Sequence, residues 1–309
     1  MPVYNCSTYL NEQINSLLDQ TFADFELIVV NDGSSDLTTS IVKDYSALDP
    51  RVKLVDNEFP KGIAGALNTG LKYAIGKYIA RADGDDIHLP DRLKSQYEFL
   101  EKFPEIGIVG SKAMIFNSAG PIRESKYPSS SIELCWRFIS NTYFCHPSVM
   151  FRSSIYDEIG GYPNVIVEDF AFFSLILKRH RGSNLHERLL NYRVHEKNYS
   201  SSNSEAINQF VEEKFKENYQ YYIPDLRLLE EFKLHQVHKQ LAPGNFFKLL
   251  FLNACILNKI RKDYQIPFYS PDFLNNNIKQ AFWLIESIYN YLKKNLGTYL
   301  KSKISMSIY

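Results

Sequence analysis

Three carboxylates stand within four residues at Asp83-Gly-Asp-Asp86, directly after the apolar run Tyr78 to Ala82. Like charges this close repel, and each raises its neighbours' pKa unless a cation is present. Hard divalent ions take one or two carboxylates and complete their shell with phosphate oxygens and water. An Asp-x-Asp at a strand end is therefore a seat for a metal–diphosphate complex. The plainer alternative is an acidic turn capping a helix that starts near Pro90, where proline suits the first helical position. Asp86 fits that lesser role. A second turn, Asn31-Asp-Gly-Ser-Ser-Asp36, also ends an apolar run, with Asp36 placed to cap the next helix. A third acidic pair, Glu168-Asp169, opens an apolar helix. Acids in a first turn are usually dipole partners; pointed into a cleft, the same position suits a general base. No Gly-x-Gly-x-x-Gly, P-loop or Gly-x-Ser-x-Gly motif occurs. A diphosphate would have its charge met by metal rather than by a glycine-rich cradle.

These groups need elements to hold them. Phe25 to Val30, Val52 to Val55, Lys77 to Ala82 and Ile106 to Val109 read as short buried strands. Helical patterns lie between and around them: Tyr9 to Gln20, Asp36 to Leu48, Gly62 to Ile75 and Asp91 to Phe103. The first places Leu10, Ile14, Leu17 and Leu18 on one face. Such alternation means βαβ units and an α/β fold with a mostly parallel central sheet flanked by helices. In open sheets of this kind, ligands bind at the carboxyl ends of the strands, where the first two acidic turns sit. Met1-Pro-Val-Tyr-Asn5 reads as the end of a strand and its turn, with the body of that strand apparently truncated. From about Ser202 the composition changes to helical segments: Glu205 to Tyr222, Asp225 to Leu241, Asn245 to Lys262 and Pro271 to Ser302. We place a boundary there, with a first domain at 1–203 and a helical region at 204–309.

Composition narrows the classes. The 309 residues carry 35 Lys+Arg against 35 Asp+Glu, a balance unlike that of a general nucleic-acid binder. Plentiful aromatics argue against disorder. Cys6, Cys135, Cys145 and Cys255 have no metal-pair spacing and read as buried thiols in a reducing compartment. No signal peptide is evident, and no uninterrupted apolar run nears the roughly 20 residues of a membrane span. A cytoplasmic location is expected. Neutrality hides a split: residues 244–309 hold nine basic and three acidic residues, while residues 1–243 carry a net −6. Basic amphipathic helices with aromatics can lie on anionic membrane surfaces; the favoured reading of the tail is a helical bundle docking on the first domain or a partner, with its lysines solvated.

Taken in order, the motifs are recognisable. Pro2-Val-Tyr-Asn5, Phe25 to Asp36, Gly62-Ile-Ala-Gly-Ala-Leu-Asn68, Tyr78 to Asp86 and Leu89-Pro-Asp-Arg-Leu93 resemble the family-2 glycosyltransferases, which have the GT-A fold with its Rossmann-like nucleotide-binding half. His146 to Arg152, Gly160-Gly-Tyr162, Glu168-Asp169 and Tyr192-Arg-Val-His195 continue the match through about residue 200.

The resemblance implies a nucleotide-sugar donor, a UDP-sugar above all, and a glycan or lipid-linked acceptor of cell-surface polysaccharide synthesis. It implies no nucleic acid, and a divalent cofactor, Mn²⁺ or Mg²⁺. Asp32 is similar to the acid that hydrogen-bonds the base, with Pro2, Val3, Tyr4 and Asn5 around base and ribose. Asp83 and Asp85 match the metal–diphosphate pair, with Arg81 nearby and His195 at a position that reaches metal or diphosphate in some members. Asp169 matches the catalytic base, and His146 and Glu168 fall on the acceptor side. A decayed, non-catalytic nucleotide-sugar binder is the alternative. A nucleotidyltransferase would need a basic loop after the first strand, and Asn5 to Asn11 has no Lys or Arg.

Overall fold

In a computed structural model of the chain, residues 1–138, 142–195, 246–267, 270–271 and 273–278 are described, with isolated positions at 210, 213, 217–218 and 220–221. The chain divides into two units, Met1–Lys214 and Phe215–Tyr309.

The first unit alternates as its periodicities require: β1 (Pro2–Val3), α1 (Ser7–Leu18), β2 (Leu27–Asn31), α2 (Thr38–Leu48), β3 (Val52–Asp56), α3 (Ile63–Tyr73) and β4 (Tyr78–Ala80). There follow β5 (Ile87–His88), α4 (Arg92–Lys102), β6 (Ile106–Asn117), β7 (Gly120–Glu124), α5 (Ser131–Phe138), a 3₁₀ turn (His146–Ser148), β8 (Met150–Arg152), α6 (Ser154–Ile159), α7 (Glu168–Leu177) and β9 (Arg181–Arg193). Every residue of β2 is buried, as a strand covered on both faces demands. Leu10, Ile14 and Leu17 of α1 pack with Val29 and Val42.

The strands form two sheets. The first, β1-β2-β3, is wholly parallel, with Pro2 opposite Val30 and Leu27 opposite Val52. The second runs β4-β8-β6-β9-β5, with β7 on β6. It is mixed: β6 and β9 pair parallel, while β4–β8, β6–β8, β5–β9 and β6–β7 are antiparallel. Parallel pairing thus characterises the first sheet more than the second. The reason is visible at β6–β7, where only Ser118 and Ala119 link the strands, and so short a turn permits only an antiparallel hairpin.

The second unit contains α8 (Phe246–Asp263), where a helix was expected over Asn245 to Lys262. Ile256, Leu257 and Ile260 are buried, and Lys259 pairs with Asp263 one turn on. The described positions between 210 and 221 are helical, as are 271 and 273–278. The rest of the segments expected at Glu205 to Tyr222 and Pro271 to Ser302, and all of Asp225 to Leu241, lie outside the described residues. Among the described residues no helix is long and apolar enough to cross a membrane. All four cysteines are free thiols, Cys135 and Cys145 buried and Cys6 and Cys255 only half-buried.

Candidate active site

The carboxyl ends of β1, β2 and β4 deliver three turns side by side. Asp32 follows β2, and both its oxygens are held. Asn57 Nδ2 donates to Oδ1 at 2.6 Å and the Gly62 N–H to Oδ2 at 2.9 Å. Its own N–H donates to the Val3 carbonyl at 2.9 Å. Val3 itself is a core residue packed with Leu10 and Ile14, so it meets this pocket through its backbone rather than its side chain. Pro2 is half-buried and pairs with Val30. Tyr4, 53% exposed, holds its ring beneath Lys61 Nζ at 4.4 Å. Asn5 adopts φ 47°, a left-handed conformation that Asn tolerates. Its N–H donates to Ser34 Oγ, and its Oδ1 accepts the Ser35 N–H at 2.8 Å. Asp36 accepts from the N–H groups of Thr38 and Ser7, so it starts α2 as expected and ties in α1.

The acidic turn after β4 is pressed against α1. A Cβ at Gly84 would lie 2.8 Å from Cys6 Sγ and 3.3 Å from Val3 Cγ1, which is why this position is glycine. Asp83 ion-pairs with Arg81. Asp85 Oδ2 lies 2.9 Å from His195 Nε2, and the His195 ring stacks on Tyr9 at 5.1 Å. Asp86 was open to the role of helix cap, and it does not take it. Its Oδ1 accepts the Arg193 N–H at 2.8 Å, and α4 begins only at Arg92, without a side-chain cap. Arg193 also donates Nε to the Asp85 carbonyl at 2.7 Å and Nη2 to Glu12 at 2.5 Å.

The donor set suits a hard divalent ion. One oxygen from each of Asp83, Asp85 and Asp86 lies within 4.8 Å of the others. Asp86 Oδ2 is buried with no hydrogen-bond partner. Burial first, then the charge of Asp83, pushes Asp85 and Asp86 above the usual carboxylate range. A cation close by would relieve that repulsion.

Behind the turn, Arg92 is wholly buried. It donates to the carbonyls of Arg81 at 2.7 Å and Val149 at 3.1 Å, and meets His88 Nδ1 at 2.8 Å. It thereby pins the backbone from which Asp83 departs. Arg81 is also buried, and its Nε has no hydrogen-bond partner. The charges of Asp83 and Glu168 both act on it.

Glu168 and Asp169 open α7 at this same place. Burial first, then Asp169, pushes Glu168 up to about 8. Burial also raises Asp169, although the Phe170 N–H at 2.7 Å works the other way. His146 faces Glu168 at 3.8 Å and Tyr162 Oη at 3.2 Å, and its burial holds it neutral. Asp169, Glu168, His146, Arg81 and Asp83 therefore share one electrostatic environment. Three contributors were not singled out beforehand: Asn57, Tyr9 and Arg193. Arg193 lay inside the quoted Tyr192 to His195 segment; the other two carry no local signal.

Comparison with known proteins places the chain in a family. The profile of Glycosyl transferase family 2 matches residues 1–160. The chain is 38% identical over 202 residues to the putative glycosyltransferase EpsE of Bacillus subtilis, covering 63% of this chain and 71% of that one. It is 35% identical over 213 residues to the O-antigen biosynthesis glycosyltransferase WbnJ of Escherichia coli, covering 65% and 81%. Among solved structures, S. aureus TarS 1–349 in complex with UDP-GlcNAc superposes with a TM-score of 0.59, at 18% identity, over 93% of this chain and 89% of that one. Fold and comparisons together define a glycosyltransferase of the GT-A class. Within it, the chain belongs to glycosyl transferase family 2.

Proposed function

We propose that this chain transfers a sugar from a UDP-sugar to a hydroxyl of a glycan or lipid-linked acceptor, with inversion at the anomeric carbon, in cell-surface polysaccharide synthesis. The observation that carries this reading is the convergence of Asp32, the Asp83–Asp85–Asp86 cluster and the Glu168–Asp169 pair on one end of the sheets. EpsE and WbnJ support the glycosyl-transfer class, and the UDP-GlcNAc bound by TarS supports the donor type.

Asp32, held by Asn57 and Gly62, keeps lone pairs for the N3–H of uracil, with Tyr4 beside the base and Asn5 beside the ribose. Asp83 and Asp85, with His195 against Asp85, would hold Mn²⁺ or Mg²⁺, which supplies charge neutralisation for the departing diphosphate. Arg81 adds a fixed positive charge on the same side. Asp169 accepts the proton of the acceptor hydroxyl as its oxygen bonds to the anomeric carbon and the bond to UDP breaks. A raised pKa makes Asp169 a better base for that proton than an ordinary carboxylate. Glu168, protonated near neutral pH, presents a donor to a sugar or acceptor oxygen, and neutral His146 orders it. The basic excess in residues 244–309 suits an acceptor carried on an anionic membrane surface. Equal liposome flotation with and without those residues removes that last element.

The test is a panel of nucleotide sugars assayed for metal-dependent release of free UDP, with mass spectrometry of the glycosylated acceptor. Release from a UDP-sugar in the presence of Mn²⁺ or Mg²⁺ is expected. Release from GDP-sugars alone, or unchanged release after EDTA, overturns the donor or the metal.

A further inference from the structure

Tyr127, Tyr192 and Arg123 share one face of the second sheet and have no role in the acidic turns. β7, β6 and β9 lie side by side, and their register puts Arg123 opposite Ile115 and Ile115 opposite Tyr192. Side chains of partnered residues share a face, and neighbouring strands are about 4.8 Å apart. Arg123 and Tyr192 therefore stand at the two ends of one row, with their backbones about 10 Å apart. Two residues back along the strands, Ala113 and Leu190 pair on the same face. With Cys145 they form a buried floor, and Tyr127 and Tyr192 pack against it.

This face runs from the acidic turn to the Glu168–Asp169 pair. Tyr192 feels the charges of Asp83, Asp86 and Asp85, and Tyr127 those of Arg123 and Asp169. Cys145 leads straight into His146, which faces Glu168 at 3.8 Å. Burial pushes both phenols above the ordinary tyrosine range, so they stay protonated. Neither hydroxyl has a hydrogen-bond partner among the described residues. A tyrosine sunk this far usually has one. Two hydroxyls beside the cleft are thus left open. Arg123 is exposed, and among the described residues no ion pair or hydrogen bond holds its guanidinium. By strand alternation its neighbour Glu124 sits on the opposite face, where it meets Lys112 at 3.4 Å and does not neutralise Arg123. An edge strand often carries a charge that discourages a further strand. That purpose does not explain a free cation sharing its face with two open phenols.

Resting on the glycosyl-transfer reading of the site, we infer that the Tyr127–Tyr192 face is the acceptor subsite and that it takes an anionic pyranoside. The sugar lies on the phenols, whose ring faces suit its carbon-bound hydrogens while their hydroxyls meet its oxygens. Its attacking hydroxyl points to Asp169. An acidic substituent at the other end of the sugar meets Arg123 in a charge-assisted pair. The placement of that charge follows from repulsion. Asp83, Asp85 and Asp86 disfavour an anion at the inner end of the row, so the acidic group belongs at the outer end, where the arginine stands. The anion is the carboxylate of an acidic sugar or a phosphate ester on its anomeric oxygen. The planar guanidinium fork suits both.

The probes are methyl β-D-glucoside, methyl β-D-glucuronide and glucose 1-phosphate, each titrated by ligand-observed NMR into the full chain saturated with UDP and Mg²⁺. At least one of the two anions is expected to bind about fivefold more tightly than the neutral glucoside. A lead for the glucuronide identifies an acidic sugar, and a lead for the phosphate identifies a phosphorylated one; either supports the subsite. Arg123→Gln, at an exposed position, is expected to bring the anions down to the level of the glucoside and to leave UDP affinity as it was. Tyr127→Phe keeps the ring and loses the hydroxyl, and is expected to weaken all three probes alike, by about threefold. Equal binding of anionic and neutral pyranosides overturns the proposal. So does an anion preference that survives Arg123→Gln, or a chain that binds UDP but none of the three probes. A chain that does not bind UDP fails earlier, at the glycosyl-transfer reading itself, and takes this inference with it.

Discussion

The two halves of the site treat their carboxylates in opposite ways. In the turn after β2, Asp32 and Asp36 each accept two hydrogen bonds through both oxygens. On the other side, Asp86 keeps an orphaned oxygen, Arg81 an orphaned nitrogen, and Asp85, Asp86, Glu168 and Asp169 all titrate above the ordinary range. A satisfied carboxylate is already part of the protein's own framework and can recognise a ligand with its geometry fixed. An unsatisfied one raises the energy of the free protein until a cation, a proton or a substrate hydroxyl arrives. The contrast separates carboxylates locked into the framework from carboxylates raised by burial and like charge.

The largest expected break in that contrast comes from the unsatisfied half. Asp169→Asn should lower turnover by about 10²- to 10⁴-fold, the usual contribution of a general base, and leave UDP affinity unchanged by calorimetry. Near-full turnover removes Asp169 from the chemistry. Asp85→Asn comes next. It should cost on the order of 10²-fold in turnover, as expected for losing a metal-held charge, and should make UDP binding insensitive to EDTA. The satisfied half should respond more gently. Asn57→Ala removes one of two supports of Asp32, worth about 1 kcal/mol. UDP affinity should weaken about fivefold while kcat holds; a collapse of kcat instead erases the distinction drawn here.

The smallest effect concerns pH. Glu168 is raised from an ordinary 4.5 to about 8 by burial and then by Asp169. Folding therefore favours its protonated form. That contribution is whole below about pH 4.5 and is lost as pH rises through about 8. The metal-free chain should lose thermal stability over that window, and Glu168→Gln should flatten part of the slope. Asp85, Asp86 and Asp169 carry the same sign and account for the remainder. A midpoint that rises from about pH 5 to 8 contradicts the burial described for α7.

Much of this was legible in the sequence because its signals are local. Apolar runs ending in acidic turns marked β2 and β4, helical spacing marked α1 to α4, and the clustered aspartates announced their own repulsion. What was hidden depends on distance along the chain. Asn57 meets Asp32 from 25 residues away, and Arg193 meets Asp85 from 108. Asp86 looked like a helix cap because capping is a short-range rule, and its actual partner lies 107 residues later. Val3 looked like pocket lining, yet side chains alternate along a strand and its own points into the core. The mixed second sheet was equally out of reach, since pairing direction there is set by which strands meet, not by any one strand's composition.

Arg193 and His195 carry a consequence for the order in which the enzyme is made. Asp83, Asp85 and Asp86 leave the ribosome more than a hundred residues before the groups that tie them down, and domains begin to fold from their N-terminal side during synthesis. The parallel sheet and the turn that carries Asp32 have all their partners within the first 70 residues or so of chain. The acidic turn has to wait for the end of β9, which also reaches back 181 residues to Glu12 on α1. A nascent chain thus completes the hydrogen bonds around Asp32 well before those around the acidic turn, and β9 is the strand that closes the Asp83–Asp86 cluster.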